Sequence, residues 1–498
     1  MTLKLHNTLT KKTEPFVSLT DGKATLYTCG PTVYNYPTVG NWVPYIYWDT
    51  LVRTLKSAGY DVERVMNITD VGHLVSDADE GEDKLEKGAR REGKTAWEVA
   101  EFYTKDFLEG MEKLGLLPPE HIVKATDFIP QQFELVRTLK EKGYTYQTTD
   151  GIYFDTSKFP TYADFAHLDL EAQKAGARVE ENAEKRQPWD FALWKFTPAG
   201  EKRDMEWETP DDLLDLPPAS SVGLRAENET PIMGFPGWHL ECSAMALSIL
   251  GSSIDIHTGG IDHIPVHHTN EIAQSEAATG QVFAKYWLHN NHLKIDGGKI
   301  SKSLENGYTL QDLTAKGFTS IDLRMFILQG HYRSEGNFTF ENLKAAQNRL
   351  QNWRAYATLR HQTHDRLIDD TLKNDDSDYV SLLATMGAIA EALNDDLNTP
   401  KALTIVDEAF ARLDTFKLED IHRYSVVELI STIDELLGLQ LADSTPDIDQ
   451  NAKQLIIERE RARENKNWQR SDEIRDELQA RGIILRDTSS GAIWSYNN

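Results

Sequence analysis

The sequence is poor in the residues that cross-link a protein or anchor it in a membrane. Its 498 residues include only two cysteines, Cys29 and Cys242, which lie far apart in the chain. The N-terminal stretch lacks the apolar core of a secretory signal, and a reducing compartment disfavours structural disulfides. No apolar run approaches the roughly 20 residues of a membrane-spanning helix. We therefore expect a cytoplasmic protein with two free thiols and no membrane partner.

Positive charge is also scarce. The chain has 53 Lys and Arg against 79 Asp and Glu, a net charge of −26, which excludes a uniformly basic surface for nucleic acid. The stretch 451–498 differs, since its basic and acidic residues nearly balance. That segment is open either to contact with a polyanion or to the commoner role of a solvated, salt-bridged helix face.

What is present indicates an α/β protein followed by helices. Residues 24–29 and 61–70 have the apolar character of buried strands, and residues 41–60 between them have helical periodicity. A strand, a helix and a second strand in this order predict a unit of a parallel sheet. Strand-like pieces at 254–260 and 285–297 resume the pattern after an apparent insertion, and the chain from about 318 to 440 is almost wholly helical in pattern.

The two cysteines stand near other metal-binding residue types. Cys29 ends the first strand, and Cys242 lies in the segment GFPGWHLECSAM. His267 and Glu271 are four apart, so a helix would place them on one face. Two thiolates, an imidazole and a carboxylate are a donor set suited to tetrahedral zinc. The alternative from the residues alone is that both cysteines are small buried apolar side chains.

A second cluster is the lysine loop, GGKISKS, at residues 297–303. Its lysines and serines on a glycine-rich loop supply cationic and hydroxyl donors suited to a polyphosphate. The loop follows the last strand of the predicted sheet, near the carboxyl edge where such sheets bind ligands. A solvated surface loop would have a similar composition.

Taken together, these segments resemble the cysteinyl-tRNA synthetase family of class I aminoacyl-tRNA synthetases. KISKS resembles the family's KMSKS loop, and CGPTVYNYPTVGN resembles the segment that carries its HIGH motif. The segments GFPGWHLECSAM, IDIHTGGIDH, HHTNEIAQ, HYRSEGNFTF and DDLNTPKAL are also similar, as is nearly the whole C-terminal stretch. The resemblance implies ATP-dependent activation of L-cysteine and its transfer to tRNA(Cys), with Mg²⁺ accompanying ATP and a monomer as the expected state.

The resemblance also implies roles for individual residues. It assigns one zinc ion to Cys29, Cys242, His267 and Glu271, where the metal binds the thiol of substrate cysteine; His268 is the rival for the histidine position. Catalysis is assigned to Lys302, Lys299, Thr38 and Asn41, and contact with ATP to Gly40, Lys299, Ser301, Lys302 and Ser303. Thr69, Trp238 and His257 are expected around substrate cysteine, with core packing as their alternative. Candidates for tRNA contact are Arg459, Arg461, Arg463 and Trp468.

The implied architecture is a Rossmann-type parallel-sheet catalytic domain split by an insertion, an α-helical bundle and a small C-terminal domain. In chain order, the corresponding segments are 1–120 with 230–300 (catalytic), 121–229 (connective insertion), 301–340 (stem-contact region), 341–440 (anticodon-binding bundle) and 450–498 (C-terminal anticodon contact).

Two departures from the family pattern leave alternatives open. Thr38 stands where the HIGH motif usually begins with histidine, and a hydroxyl is shorter and never cationic. The Pro-rich stretch 208–232 is longer than the usual connection, which suggests either a surface loop or a contact for the tRNA acceptor arm.

The rival functions are a ligase joining cysteine to an amino sugar and a non-catalytic paralogue that binds tRNA or cysteine.

Overall fold

The structure of the protein is a computed structural model. This structure describes the following residues: 2–72, 83–168, 184–198, 200–215, 231–298, 306–362, 377–415, 418, 421–488 and 491–496. The predicted lysines and serines of the loop 299–303 and most of the Pro-rich stretch, residues 216–230, lie outside the described residues. Within the described part of the chain, no helix combines the length and the apolar character needed to cross a lipid bilayer.

The strands of the described chain are numbered in sequence order. They are β1 (Lys4–Asn7), β2 (Lys12–Pro15), β3 (Lys23–Thr28), β4 (Asp61–Ile68), β5 (His121–Lys124), β6 (Thr145–Thr148), β7 (Gly151–Phe154), β8 (Phe191–Phe196), β9 (Trp207–Glu208), β10 (Met233–Pro236), β11 (Ile254–Gly260), β12 (Ala284–Asn290), β13 (Leu293–Ile295), β14 (Gly336–Phe338), β15 (Ile483–Thr488) and β16 (Gly491–Tyr496).

The α-helices are numbered in the same way. They are α1 (Val39–Ser57), α2 (Lys84–Glu92), α3 (Ala96–Lys113), α4 (Ile129–Glu141), α5 (Trp238–Leu250), α6 (Thr269–Thr279), α7 (Leu310–Ala315), α8 (Ser320–Leu328), α9 (Phe340–Ala357), α10 (Ser377–Asn394), α11 (Thr399–Leu413), α12 (Arg423–Leu437), α13 (Leu441–Ser444), α14 (Gln450–Glu464) and α15 (Trp468–Ala480).

A five-stranded parallel sheet forms the centre of the α/β part of the chain. Its order is β12-β11-β3-β4-β5, so the segment between β5 and β11 interrupts the sheet in sequence. Strands β3, β4 and β11 are buried along most of their length, which matches a parallel sheet covered on both faces, although each contains polar residues. The predicted fold class, a parallel α/β sheet interrupted by an insertion and followed by helices, is confirmed.

The interrupting segment contains a second, antiparallel sheet with strand order β6-β7-β8-β10-β9. This sheet and the predicted insertion 121–229 differ at both ends. Residues 121–124 form β5, the edge strand of the parallel sheet, whereas residues 233–236 form β10 of the antiparallel sheet. Short strands with ambiguous periodicity do not reveal from sequence which sheet they join.

Helices dominate the described residues between about 318 and 440, as the sequence pattern predicted, and the short strand β14 interrupts them. β14 pairs in parallel with β13, which ends four residues before the KISKS segment of the lysine loop begins. Helices α10, α11 and α12 pack together, and the helical pair α14 and α15 carries the hairpin β15–β16.

A buried ion cluster joins α1 to the helical bundle. Asp49 accepts hydrogen bonds from Arg53 Nε (2.7 Å) and from Arg324, and all three side chains are nearly inaccessible to solvent. The guanidinium of Arg324 also donates to the carbonyl of Leu437 (2.6 Å), at the end of α12. The position of the bundle is thereby coupled to a helix that packs on the catalytic sheet.

Candidate active site and metal centre

The candidate site lies where two neighbouring strands of the parallel sheet end. Cys29 follows β3, and His257 lies within β11, the adjacent strand. The carboxyl ends of parallel strands meet at one edge of a sheet, which is the usual place for ligands in such folds. Helix α5 brings Cys242 to this edge, and the segment before α6 brings His267.

The connection between β11 and α6 does not follow a regular α-helix. Residues Ile261–His263 form a 3₁₀ turn and Ile264–His268 form a turn of π-helix, after which α6 begins. A π turn widens the helix and often occurs at functional sites. Nε2 of His267 nevertheless lies 3.0 Å from Oε1 of Glu271, so the two side chains face each other across the turn.

Donor atoms converge in a buried cluster next to these strand ends. Four side chains contribute one donor atom each, all within 4.8 Å of one another: Cys29, His267, His268 and Glu271. Cys242 is not a member of that tight group, although its buried thiol interacts with both Cys29 and His267. The structure therefore brings together all four residues of the predicted zinc set and adds His268, which the sequence offered as a rival.

In this cluster, opposite charges close to one another outweigh the effect of burial on the pKa values of Glu271 and His267. Burial disfavours the charged carboxylate of Glu271, but His257 and His267 outweigh this effect and lower its pKa to about 2. Burial likewise works against a charged His267, and Glu271 overcomes it, raising the imidazole pKa to about 10. Imidazole and carboxylate bind a metal only in their deprotonated forms, so a bound metal ion would take the place of the proton shared by this buried pair.

The two thiols share a proton unequally. Hydrogen bonding to Cys29 lowers the pKa of Cys242 to about 6, whereas the same contact and burial raise the pKa of Cys29 well above its usual value. The thiolate is the form of cysteine that binds metals. With its pKa lowered to about 6, Cys242 is the thiol of this pair that is a thiolate near neutral pH.

The residues predicted around substrate cysteine border this cluster. Trp238 begins α5, and its ring lies 4.6 Å from the His267 ring, centroid to centroid. His257 is fully buried, with Nε2 3.1 Å from Oε2 of Glu271. Thr69 follows β4, and its hydroxyl oxygen accepts a hydrogen bond from Asn67 Nδ2 (2.9 Å).

The segment resembling the HIGH motif forms the beginning of α1. Thr38 is the N-cap residue, and both its amide and its hydroxyl donate to Oδ1 of Asn41 at 2.9 Å. Gly40 is the second residue of the helix. The amide of Val39 donates to the carbonyl of Tyr308 (2.7 Å), so the backbone just beyond the lysine loop is held against this helix start.

The four C-terminal candidates for RNA contact differ in exposure. Arg459 is 2% exposed and its guanidinium binds both carboxylate oxygens of Asp487 (2.8 and 3.1 Å), which favours a structural role. Arg463 is partly exposed, pairs with the same carboxylate at 3.0 Å and lies over the Trp468 ring. Arg461 is exposed, and Trp468 is 57% exposed.

Several residues of the site were missed in the sequence. The imidazoles of His239, His263 and His289 surround the cluster, with His239 Nδ1 3.0 Å from His267 Nδ1. Burial raises the pKa of Glu241 well above its usual value. The only available signal was local: His239 and Glu241 immediately precede Cys242, and His263 lies just before His267. His289 had no such signal, because β12 brings it to the site from a distant part of the chain.

Comparison with family models divides the chain into two matches. Residues 15–212 and 225–348 match the model described as "tRNA synthetases class I (C) catalytic domain". Residues 445–494 match the model described as "Cysteinyl-tRNA ligase anticodon binding domain".

Full-length relatives agree with these matches. A cysteine–tRNA ligase of Treponema denticola is 40% identical, with 99% of each chain covered, and one of Brevibacillus brevis has the same identity and coverage. Among solved structures, a Mycobacterium tuberculosis methionyl-tRNA synthetase in complex with methionyl-adenylate has a TM-score of 0.59 at 14% identity. That likeness covers 84% of this chain and 92% of the other, and it supports the fold alone.

Proposed function

The chain belongs to the cysteine–tRNA ligase family of class I aminoacyl-tRNA synthetases, and from this premise we propose how its site recognises cysteine. Its reaction is the ATP-dependent joining of L-cysteine to tRNA(Cys). The proposal is that Cys29, Cys242, His267 and Glu271 hold one zinc ion that selects the substrate thiol. The observation that carries it is the convergence of buried sulfur, nitrogen and oxygen donors at the carboxyl edge of the parallel sheet.

The chemistry of the donors supports zinc. Thiolate and imidazole suit this borderline-soft ion, and a carboxylate completes a common set. The buried Oε1 of Glu271 accepts no regular hydrogen bond among the described residues, although His267 Nε2 is near it, which leaves this oxygen available to a cation. When bound, zinc would supply a coordination bond that the thiol of cysteine makes far better than the hydroxyl of serine. An apolar pocket alone would discriminate only weakly between these two amino acids.

The side chains around the cluster would then orient the substrate. Trp238 would cover the cysteine side chain with its indole ring, while His257 holds Glu271 in place through the 3.1 Å contact. Thr69 lies at the neighbouring strand end and offers a hydroxyl near the amino acid. These groups would bind and orient cysteine without becoming covalently attached to it.

Activation requires the cysteine carboxylate to attack the α-phosphorus of ATP as pyrophosphate leaves. We propose that the start of α1 receives the phosphates, with Gly40 permitting close approach and Thr38 and Asn41 beside it. Lys302 and Lys299 would neutralise charge that develops on the phosphates, Ser301 and Ser303 would donate hydrogen bonds to phosphate oxygens, and Mg²⁺ would accompany ATP. Such catalysis depends on positioning and charge stabilisation rather than on a protein nucleophile.

The remaining parts would serve the tRNA. We propose that the bundle and the C-terminal unit meet the anticodon side of tRNA(Cys), with exposed Trp468 and Arg461 as contacts. Monomeric action in the cytoplasm, where tRNA is charged, belongs to the same proposal. The amino-sugar ligase is disfavoured because residues 445–494 match an anticodon-binding domain.

The test combines metal content with charging activity. Purified protein is analysed for zinc, and the same preparation is assayed for attachment of labelled cysteine and serine to tRNA. We expect about one zinc per chain, as in tetrahedral protein sites, and charging with cysteine only. The variant Cys242→Ala should lose both zinc and charging. His121→Ala, which changes a histidine paired with Glu63 at the far edge of the sheet, is the control.

The outcomes separate the functions. Zinc without charging, and without cysteine-dependent pyrophosphate exchange, would identify the non-catalytic alternative and implicate Thr38. Charging by a preparation free of zinc would reject the metal centre while leaving the reaction intact.

A further inference from the structure

A line of hydrogen bonds connects the N-terminal hairpin with the candidate metal cluster. The hydroxyl of Thr8, in the turn between β1 and β2, lies 2.7 Å from Nδ1 of His289. Nε2 of His289 lies 2.7 Å from Nδ1 of His268, whose Nε2 is 3.5 Å from the sulfur of Cys29. Four residues from four separate parts of the chain are thus joined in one series of side-chain contacts.

The series is held in place at both ends. Thr8 is half-buried, and its amide donates to the carbonyl of Trp287 (2.8 Å), which fixes the turn on β12. His268 is fully buried and lies between the ring of Trp287 and the backbone of β11. Gly259 permits this close packing, since a Cβ there would lie 2.6 Å from Cε1 of His268. These neighbours confine the His268 ring, and His289 is itself buried.

The chemistry of imidazole restricts how the series is arranged. A neutral imidazole has one N–H donor and one acceptor nitrogen, so the two rings must donate in the same direction. If Cys29 is a thiol, it donates a hydrogen bond to His268, His268 donates to His289, and His289 donates to the hydroxyl oxygen of Thr8. If Cys29 is a thiolate, it only accepts, so the hydroxyl of Thr8 donates to His289, His289 to His268 and His268 to sulfur.

We propose that Thr8 and His289 orient His268 as an N–H donor to the Cys29 thiolate, which makes His268 a positioning residue for a metal-ligating sulfur. This proposal depends on the zinc site proposed above. In this arrangement Nε2 of His268 carries a hydrogen and is not a zinc ligand, although it belongs to the tight donor group and lies 3.9 Å from Glu271 Oε1. The hydrogen bond would fix the direction of the sulfur and withdraw electron density from it.

The experiment replaces zinc by Co²⁺, whose charge-transfer band reports on the bound thiolate. Protein, full-length and metal-free, is titrated with Co²⁺, and its zinc affinity is measured by competition with a chelator. The variants are His268→Leu, His268→Gln, which keeps an N–H donor, and Thr8→Val, which removes the outermost donor. Thr10→Val, an exposed threonine in the same turn, is the matched control.

We expect His268→Leu to weaken zinc binding about 10- to 100-fold, the usual effect of losing an outer partner of a ligand. The charge-transfer band should move to longer wavelength, because a sulfur without its hydrogen bond gives up electron density more easily. His268→Gln should recover part of both effects. Thr8→Val should change both quantities in the same direction by less, and Thr10→Val should change neither.

Other results would overturn the proposal. If His268→Gln and His268→Leu abolish metal binding equally, His268 is a ligand. If Thr8→Val behaves like Thr10→Val, the series does not orient His268; this variant keeps the question answerable even if the histidine variants fail to fold. Wild-type protein that binds neither zinc nor Co²⁺ would instead reject the zinc site on which the proposal depends.

Discussion

Gly259 shows how a residue without a side chain determines the geometry of the site. A Cβ at this position would lie 2.6 Å from Cε1 of His268 and 2.7 Å from Nδ1 of His263, closer than real contacts allow. Both rings are confined by their neighbours, so neither can move aside cheaply. The absent side chain therefore allows two imidazoles to pack against β11.

We predict that Gly259→Ala destabilises the protein by about 1–3 kcal/mol, the usual cost of overpacking a filled core, and weakens metal binding. The free energy of unfolding from denaturant titration and the zinc content would show both effects. Gly387→Ala is the matched control, because a Cβ there meets nothing within 4 Å and α10 should gain stability from the change. Equal stability of Gly259→Ala and wild type would contradict the packing argument.

At the same scale, the sequence indicated the proposed metal ligands but not the residues that surround them. Cys29, Cys242, His267 and Glu271 could be found because cysteines are rare and because a spacing of four indicates one helix face. His289 could not, since its contact with Thr8 spans 281 positions and arises only when β12 joins the sheet. Local spacing carries no information about such pairs.

Among the elements, α1 has an unusual beginning. The hydroxyl and amide of Thr38 both bond to Asn41, and no charged side chain of the described residues lies in the first turn. The amides of Asn41 and Trp42 both donate to the carbonyl of Thr38 (2.9 and 3.3 Å), which completes the first turn.

We predict that Thr38→Ala lowers stability by about 0.5–2 kcal/mol, as loss of an N-cap residue does, and slows cysteine-dependent pyrophosphate exchange. Thr38→Ser retains the hydroxyl and should preserve most of both. Thermal unfolding and exchange kinetics measure the two effects separately. An alanine variant with full exchange activity would show that the hydroxyl takes no part in activation.

The C-terminal helices permit a comparison between a buried and an exposed residue. If a base of the tRNA stacks on the indole ring, Trp468→Ala should raise the KM for tRNA by an amount equivalent to about 1–3 kcal/mol of binding free energy. The free energy of unfolding of this variant should stay unchanged. Arg459→Met should instead lower the stability of this unit, since its partner Asp487 would lose a bidentate contact. Aminoacylation kinetics and thermal unfolding of both variants distinguish these roles. An unchanged KM in Trp468→Ala would remove that residue from the tRNA surface.

The elements themselves were largely predictable, with an instructive exception. Apolar runs and turn residues located β3, β4, β11 and most helices, because burial and periodicity leave a direct trace in sequence. The π turn over Ile264–His268 leaves no such trace in the apolar pattern. The spacing of His267 and Glu271 indicated only a helix that places both residues on one face, and it did not indicate the wider turn before α6.

At the scale of the whole molecule, the Asp49 cluster couples the sheet to the bundle. Burial opposes the charge on Asp49, but Arg324 and Arg53 prevail and lower its pKa below the usual 3.8. Because the pKa is lower in the folded state, the stabilisation is present above about pH 3.8 and is lost as the pH falls through the folded value. The contribution of this cluster to stability is thus fully present at neutral pH.

We predict that Arg324→Met costs about 3–5 kcal/mol at neutral pH, because it leaves a buried carboxylate with one fewer partner. The difference from wild type should shrink below about pH 3.8 as Asp49 becomes protonated. Denaturant titrations across this pH range measure the trend, and Arg412→Met, at an exposed arginine of α11, is the control. A difference that stays constant with pH would show that Asp49 is not the partner responsible.

The first strand of the protein depends on a residue made much later. The amide of His6 donates to Oδ1 of Asp396 (2.8 Å), 390 positions along the chain, and Tyr332 and Arg333 bind the same carboxylate. A ribosome adding about 5–20 residues per second needs roughly 20–80 s to cover that interval. During translation, β1 therefore waits without this partner, and a nascent chain cut short before Asp396 would expose the strand to proteases and chaperones.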